Sequence, residues 1–247
     1  MKRSAVLVTG SNGAIGTAIV MKLKESGYFV YGLDKYADAN GCHGFIELDL
    51  EAFVEDEQVQ QKALSQVVEQ LGEIELVAIV NNAAIQIVKD WQLLTTSDLR
   101  RSISVNAFAV VILAKLFFSL LEHGSGKIIN IGSIHSRLTK KDFLAYSISK
   151  AALDGVTRGL AIEMGGKVAI NTINPAAIDT PMLRAGFASR DMISRLSSSH
   201  PAQTIGTPFD IAEVVTFLVN SGSNFLTNTS INIDGGIGAL LHDPSLA

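Results

Sequence analysis

Seven short segments rich in apolar residues lie at 5–8, 29–33, 45–48, 76–80, 128–131, 169–173 and 231–233. Short segments so dominated by apolar residues predict strands buried on both faces, the signature of a parallel sheet. Between them, apolar positions recur every three or four residues, which predicts helices. One spans about 15–26 and is closed by Gly27, and another covers 55–71. Thr95-Thr96-Ser97-Asp98 reads as a cap opening a long helix through 121. A further helix covers about 144–164, and Thr207-Pro208 opens the last with proline in its first turn. Strands and helices alternate without linker, repeat or low-complexity segment, so residues 1–247 are expected to form one doubly wound α/β domain. The long irregular stretch is 182–203, and His200, next to Pro201, reads as a surface position.

Composition narrows the class. With 47% hydrophobic and 18% charged residues and a mean hydropathy of +0.30, the chain has material for a large core and is not a disordered sequence. A net charge of −4 gives no electrostatic reason to expect nucleic acid or an anionic membrane as a partner. The single cysteine, Cys42, cannot close an internal disulfide and suits a reducing compartment. The four apolar residues behind Met1-Lys2-Arg3 are too few for a signal-peptide core. The greasy stretch 105–121 contains Asn106 and Lys115, so it reads as a buried helix short of a membrane span. A cytoplasmic protein is the expectation, with no metal site.

Chemistry gathers behind the predicted strands. Thr9-Gly10-Ser11-Asn12-Gly13-Ala14-Ile15-Gly16 lies between a strand and a helix, where glycines let the backbone approach a pyrophosphate on a helix N-terminus. This is the mark of a Rossmann-type dinucleotide fold. Asp34 ends the second strand, where a carboxylate meets the adenosine ribose hydroxyls and repels a 2′-phosphate. NAD is therefore expected over NADP, although Lys35 is a cation that could tolerate the phosphate, and Asp34 could instead simply open a turn. Asp49, with Leu50 behind it, follows the third strand and could meet the adenine.

Tyr146 and Lys150, four apart on a predicted helix, share one face. At about 5 Å and an effective dielectric near 20, the ammonium favours phenolate by roughly 3 kcal/mol, about two pKa units. A Tyr-x-x-x-Lys helix is common in itself. Ser133, at a strand's carboxyl end where ligands bind in open α/β sheets, adds a hydroxyl able to hold a substrate carbonyl.

With Asn81-Asn82-Ala83-Ala84, Asn106 and Asp234-Gly235-Gly236 in the same order, the whole chain resembles the short-chain dehydrogenase/reductase family. The likeness is to the shorter subclass whose loop runs Thr-Gly-x-x-x-Gly-x-Gly. The resemblance implies that Tyr146 exchanges the proton and that Lys150 lowers its pKa while binding the nicotinamide ribose. Ser133 would position the substrate oxygen, and Asn106 would hold a water linking Lys150 to solvent. The cofactor would lie on Gly10, Asn12, Ala14 and Ile15, with Asn82 and Ala83 at the adenosine. Pro175, Ile178 and Thr180 would lie by the nicotinamide carboxamide. Ala84 and Ala176 stand where the family usually has glycine, which implies a reshaped pocket.

The expected activity is reversible hydride transfer between NAD(H) and a secondary alcohol or ketone. The alternatives are an NADPH-dependent 3-oxoacyl thioester reductase and a non-catalytic NAD-binding regulator. The resemblance further implies a homotetramer or homodimer and a substrate lid at about 182–205. Arg184, Arg190 and Arg195 in that lid, with Arg137, Lys140 and Lys141, suit either an anionic substrate or a solvated surface. Gln86, Trp91 and His135 fall in loops at the same sheet edge and carry no assigned role.

Overall fold

The computed structural model describes residues 3–37, 41–123, 125–186 and 190–241. The apolar runs become strands β1 (Ser4–Thr9), β2 (Phe29–Asp34), β3 (Gly44–Glu47), β4 (Glu75–Asn81), β5 (Lys127–Ile131), β6 (Ala169–Pro175) and β7 (Ser230–Ile233). All pair in parallel, in the order β3-β2-β1-β4-β5-β6-β7. The order reverses direction between β1 and β4. That switch point is where open α/β sheets bind ligands, at the strands' carboxyl ends.

Period-two alternation sends neighbouring strand residues to opposite faces, so the sheet has two cores. Ala5, Leu7, Leu33 and Ile79 pack with α3 (Glu57–Leu71) and α5 (Ala109–Glu122). Val6, Val8, Val30 and Val80 pack with α1 (Ala14–Glu25) and α9 (Pro208–Asn220). Each large aliphatic side chain buried this way contributes roughly 1.5–3 kcal/mol, and the polar residues inside β5 and β6, Asn130, Asn171 and Thr172, are buried with hydrogen-bond partners.

Four local expectations change. The helix expected at 55–71 is α3, and a separate short helix, α2 (Leu50–Glu55), precedes it, because Asp56 leaves helical geometry and its carboxylate caps Gln58 N–H at 2.7 Å. The long helix is confirmed from its Thr95–Asp98 capping box onward, but α4 (Thr96–Ile103) passes into α5 through a π turn, Ser104–Phe108. From Thr96 to Glu122 it is long and apolar enough to cross a membrane, which corrects the shorter span expected from 105–121. Val110, Leu113, Phe117 and Leu121 on this helix are buried in the protein core.

The segment expected to be irregular instead holds α7 (Pro181–Ala185) and α8 (Arg190–Ser199), with residues 187–189 of the expected lid outside the described residues. His200, expected at the surface, is only 3% exposed. It donates from or accepts at Nδ1 with the Leu196 carbonyl at 2.8 Å and packs beside Gly235. Pro201 next to it belongs to the same turn, so adjacency to proline did not place it outside.

Candidate active site

The turn after β1 brings the main chain close to the end of β4. Gly10 has φ +63, and a Cβ there would lie 2.8 Å from Ala83 Cα. A Cβ on Gly16 would lie 2.0 Å from the Gly10 carbonyl oxygen. Thr9 Oγ1 accepts from the Asn82 and Ala83 N–H groups, both at 3.0 Å. The Asn82 amide donates to the Thr9 and Gly10 carbonyls at 3.1 and 2.9 Å. Helix α1 opens on Gly13 with no side-chain cap and no acidic residue in its first turn, so its free N–H groups suit a pyrophosphate. Ala14, the first residue of α1, holds the place of the second glycine in the family's loop pattern, with glycine one position earlier at 13.

Gly16→Ala is expected to lower stability by roughly 3 kcal/mol or more, because backbone on both sides prevents relief. Gly13→Ala, whose Cβ would sit 3.4 Å from the Gly10 oxygen at φ −71, is expected to cost under about 1 kcal/mol. Urea denaturation of the two variants checks the contrast.

Asp34 is aimed across this loop. Its carboxylate accepts from the Asn12 N–H at 3.1 Å and the Tyr36 N–H at 3.3 Å, while the Asn12 amide donates to the Tyr36 carbonyl at 2.8 Å. Asn12 Oδ1 is buried without a partner among the described residues, an acceptor that a ribose hydroxyl could satisfy. The cleft therefore fits the adenosine half of a nicotinamide dinucleotide. Asp49 is exposed and caps α2 through Glu51 N–H at 2.9 Å. It borders an open depression shared with Lys35, Glu47, Lys62 and Gln66. Leu50 packs beneath it against the core.

Ser133, Tyr146, Lys150 and Asn106 converge at the carboxyl edge. Tyr146 and Lys150 lie one turn apart on α6 (Leu144–Glu163), both buried. The Ser133 hydroxyl bonds the Tyr146 phenol, accepts from His135 N–H at 3.1 Å, and is set in place by its own N–H donating to Asn174 Oδ1 at 3.1 Å. Lys150 Nζ donates to the Ile131 carbonyl at 2.7 Å and lies 5.7 Å from the Tyr146 ring centroid. A buried polar chain braces α6 against three strands: Asn81 to Asn130 at 2.8 Å, Asn130 to Thr157 at 3.0 Å, and Thr157 with Thr172 at 2.8 Å.

Electrostatics reverse one expectation. Burial pushes the Tyr146 phenol up to about 12, against the opposing hydrogen bond from Ser133. Burial also takes the Lys150 ammonium down to about 8, with Asp154 opposing. The spacing argument placed the phenol below its usual range by treating Lys150 as a cation in a partly wet surface. Desolvation outweighs that attraction when both groups leave water. His135 is held down to about 4 by burial and then by Lys140.

Asn106 sits in the π turn, a feature frequent at functional sites. Its Oδ1 accepts from Ile85 N–H at 2.9 Å, and its amide donates to the Ile85 carbonyl at 2.9 Å and to Ser149 Oγ at 2.8 Å. Both amide hydrogens are thus engaged, and the side chain ties the strand β4 loop to α6. Pro175 closes β6, and Ile178 is buried and pairs with Gly206 in a short bridge. Thr180 Oγ1 accepts from Leu183 N–H at 3.2 Å, capping α7. Ala84 lies part-buried beside this edge, and Ala176 N–H donates to the Ile233 carbonyl at 3.0 Å.

Reading the sequence alone missed Thr9, Asn174, Ser149 and the Ile131 carbonyl as positioning groups. Thr9 and Asn174 are buried polar residues at the carboxyl ends of apolar runs, a signal that periodicity treats only as a strand boundary.

A family model described as enoyl-(acyl carrier protein) reductase matches residues 10–238. Acetoacetyl-CoA reductase from Cupriavidus necator is 28% identical, over 96% of this chain and 99% of that protein. The ligand-free structure of Thermoplasma acidophilum aldohexose dehydrogenase superposes with a TM-score of 0.88 at 27% identity, covering 98% of each chain. The structure of ElxO with NADP bound gives 0.83 at 28% identity, covering 97% of this chain and 100% of that one.

Proposed function

The chain belongs to the short-chain dehydrogenase/reductase family, whose members are NAD(P)-dependent oxidoreductases, and we propose that it uses NAD to interconvert a secondary alcohol and a ketone. The observation that carries this reading is the buried Tyr146 phenol bonded to Ser133, with Lys150 one helical turn away.

Gly10, Asn12, Ala14, Ile15 and the α1 N-terminus would hold the pyrophosphate, with Asp34 on the ribose and Asn82 and Ala83 beside the adenosine. Lys150 would bind the second ribose, and Pro175, Ile178 and Thr180 would border the carboxamide. Bound there, the nicotinamide supplies the hydride acceptor for oxidation and the donor for reduction. In oxidation, Tyr146 Oη takes the proton of the substrate hydroxyl while the Ser133 hydroxyl holds the same oxygen. The Lys150 ammonium stabilises the phenolate this requires. Asn106 holds Ser149, whose hydroxyl donates to the Tyr146 carbonyl, and so braces the start of α6. Its amide hydrogens being engaged, a relay water would bond the main chain of the π turn.

NAD is favoured over NADP because the Asp34 carboxylate, held by two N–H groups, would face a 2′-phosphate with like charge. Titrating turnover with both nucleotides tests this. kcat/KM with NAD is expected to exceed that with NADP by about tenfold or more, a difference of roughly 1.4 kcal/mol, and Asp34→Ser is expected to erase the gap. An NADP preference in the native chain would reject the assignment. It would favour the second reading, an NADPH-dependent 3-oxoacyl thioester reductase, which the names of the relatives support and for which Lys35 beside Asp34 offers a cation.

A homotetramer or homodimer is part of the same proposal. Gly159 on α6 is exposed and a Cβ there would meet nothing, so this position does not pack against the sheet. Phe108, Val111, Ile148 and Ile162 are exposed on the neighbouring helical surface.

A further inference from the structure

Three loops leave the carboxyl edge around Tyr146, and each exposes large apolar side chains. The loop after β4 carries Val88, Trp91 and Leu93, the last two each 66% exposed. The loop after β5 exposes Leu138, and the lid helices expose Met182 and Met192. The first two loops are joined, since Lys89 N–H donates to the Asp142 carbonyl at 2.9 Å. Inside them the Phe143 and His135 rings stack at 4.7 Å and 9°. His135 then meets the Tyr146 ring edge-on at 5.6 Å. His135 Nδ1 is paired with Thr139 Oγ1 at 3.0 Å, and the ring stays uncharged at neutral pH. An aromatic wall thus runs from the phenol toward the exposed apolar rim.

Several cations that could have recognised an anionic substrate already face carboxylates. Arg184 takes both oxygens of Asp179 at 2.7 and 2.8 Å, Arg195 meets Asp191 at 3.0 Å, and Lys89 meets Asp98 at 2.7 Å. Lys140 lies over the Phe143 ring at 4.5 Å. A new anion would have to compete with these pairs, whereas an apolar group gains from the rim without breaking anything. Large apolar side chains left in water around a cleft mark a binding surface.

Building on the proposed dehydrogenase function, we propose that the substrate is an uncharged alcohol or ketone with an extended apolar substituent, lying along Phe143 and His135 and leaving over Trp91 and Leu138. Trp91 is the chain's single tryptophan, so its fluorescence reports on this rim without requiring turnover. The test titrates the NAD-saturated protein with 2-alkanols of four to ten carbons, beside sorbitol and 3-hydroxybutyrate, recording emission and then turnover. The expected result is a blue shift of Trp91 emission and a Kd that falls about three- to fourfold per added methylene, as burial of each CH₂ predicts. A Kd independent of chain length, or tighter binding of the polyol or hydroxy acid, would overturn the inference. Chain-length-dependent binding with no turnover on any alcohol would leave this inference standing and reject the dehydrogenase reading. The double variant Val88→Ser, Leu138→Ser changes two exposed positions and keeps the reporter. It is expected to flatten the chain-length dependence by about half, and an unchanged slope would also count against the proposal.

Discussion

Tyr146→Phe is expected to lower kcat by roughly 10²–10⁴, the usual weight of a positioned acid/base, with nucleotide binding and fold preserved. The substitution deletes one oxygen and leaves the ring. The edge-on contacts of that ring with His135 at 5.6 Å and Phe143 at 6.3 Å persist. The Ser133 hydroxyl keeps its bond from His135 N–H, so no buried polar atom is orphaned. Stability should therefore move by no more than about 1 kcal/mol near neutral pH. Above pH 10 the variant should gain on the native protein. A phenol whose folded pKa is raised to about 12 makes the unfolded state ionise first, so native stability falls from pH 10 to 12 and Phe removes that loss. Steady-state kinetics with nucleotide binding measured in parallel decide the matter. Undiminished turnover would reject the mechanism, and a non-catalytic regulator would keep its biological effect in this variant.

Lys150→Met is expected to split activity from stability. Turnover should fall by about 10² or more, since the phenolate loses its cation inside a site that already disfavours charge. Stability should rise. The ammonium is nearly fully buried and its folded pKa is about 8 against an ordinary 10.5, a penalty of about 3 kcal/mol. Losing the bond to the Ile131 carbonyl returns about 1 kcal/mol, leaving a gain of roughly 2 kcal/mol, or about 4–8 °C in Tm.

The sign with pH is a further check. A base with a depressed folded pKa carries its full penalty below pH 8 and sheds it as pH rises toward 10.5. The stability advantage of Met should thus be greatest at pH 7 and gone near pH 10.5. Thermal denaturation across that range measures it, and a variant less stable than native at pH 7 would show that the ammonium is not held at a cost.

The parallel sheet was legible in the chain because strands buried in such a sheet are dominated by apolar residues, and all seven apolar segments became strands. The glycine loop, the Thr95 and Thr207 caps and the Tyr146–Lys150 face were legible for the same kind of reason. Each is set by spacing within a few residues, and local geometry carries over into any fold that contains it. At Asp56 a carboxylate cap starts α3 within two residues of the expected position and separates it from α2, whose six residues are too few to show as a period.

Tertiary structure decided what depends on distant neighbours. It turned the stretch expected to be irregular into α7 and α8, buried His200 beside Gly235, and gave Asn106 partners on Ile85 and Ser149. It also reversed the sign at the Tyr146–Lys150 pair. Spacing alone brought Lys150 to Tyr146 and lowered the phenol's pKa, but burial raised it, because desolvation is exerted by everything packed around a group and not by its neighbours in the chain.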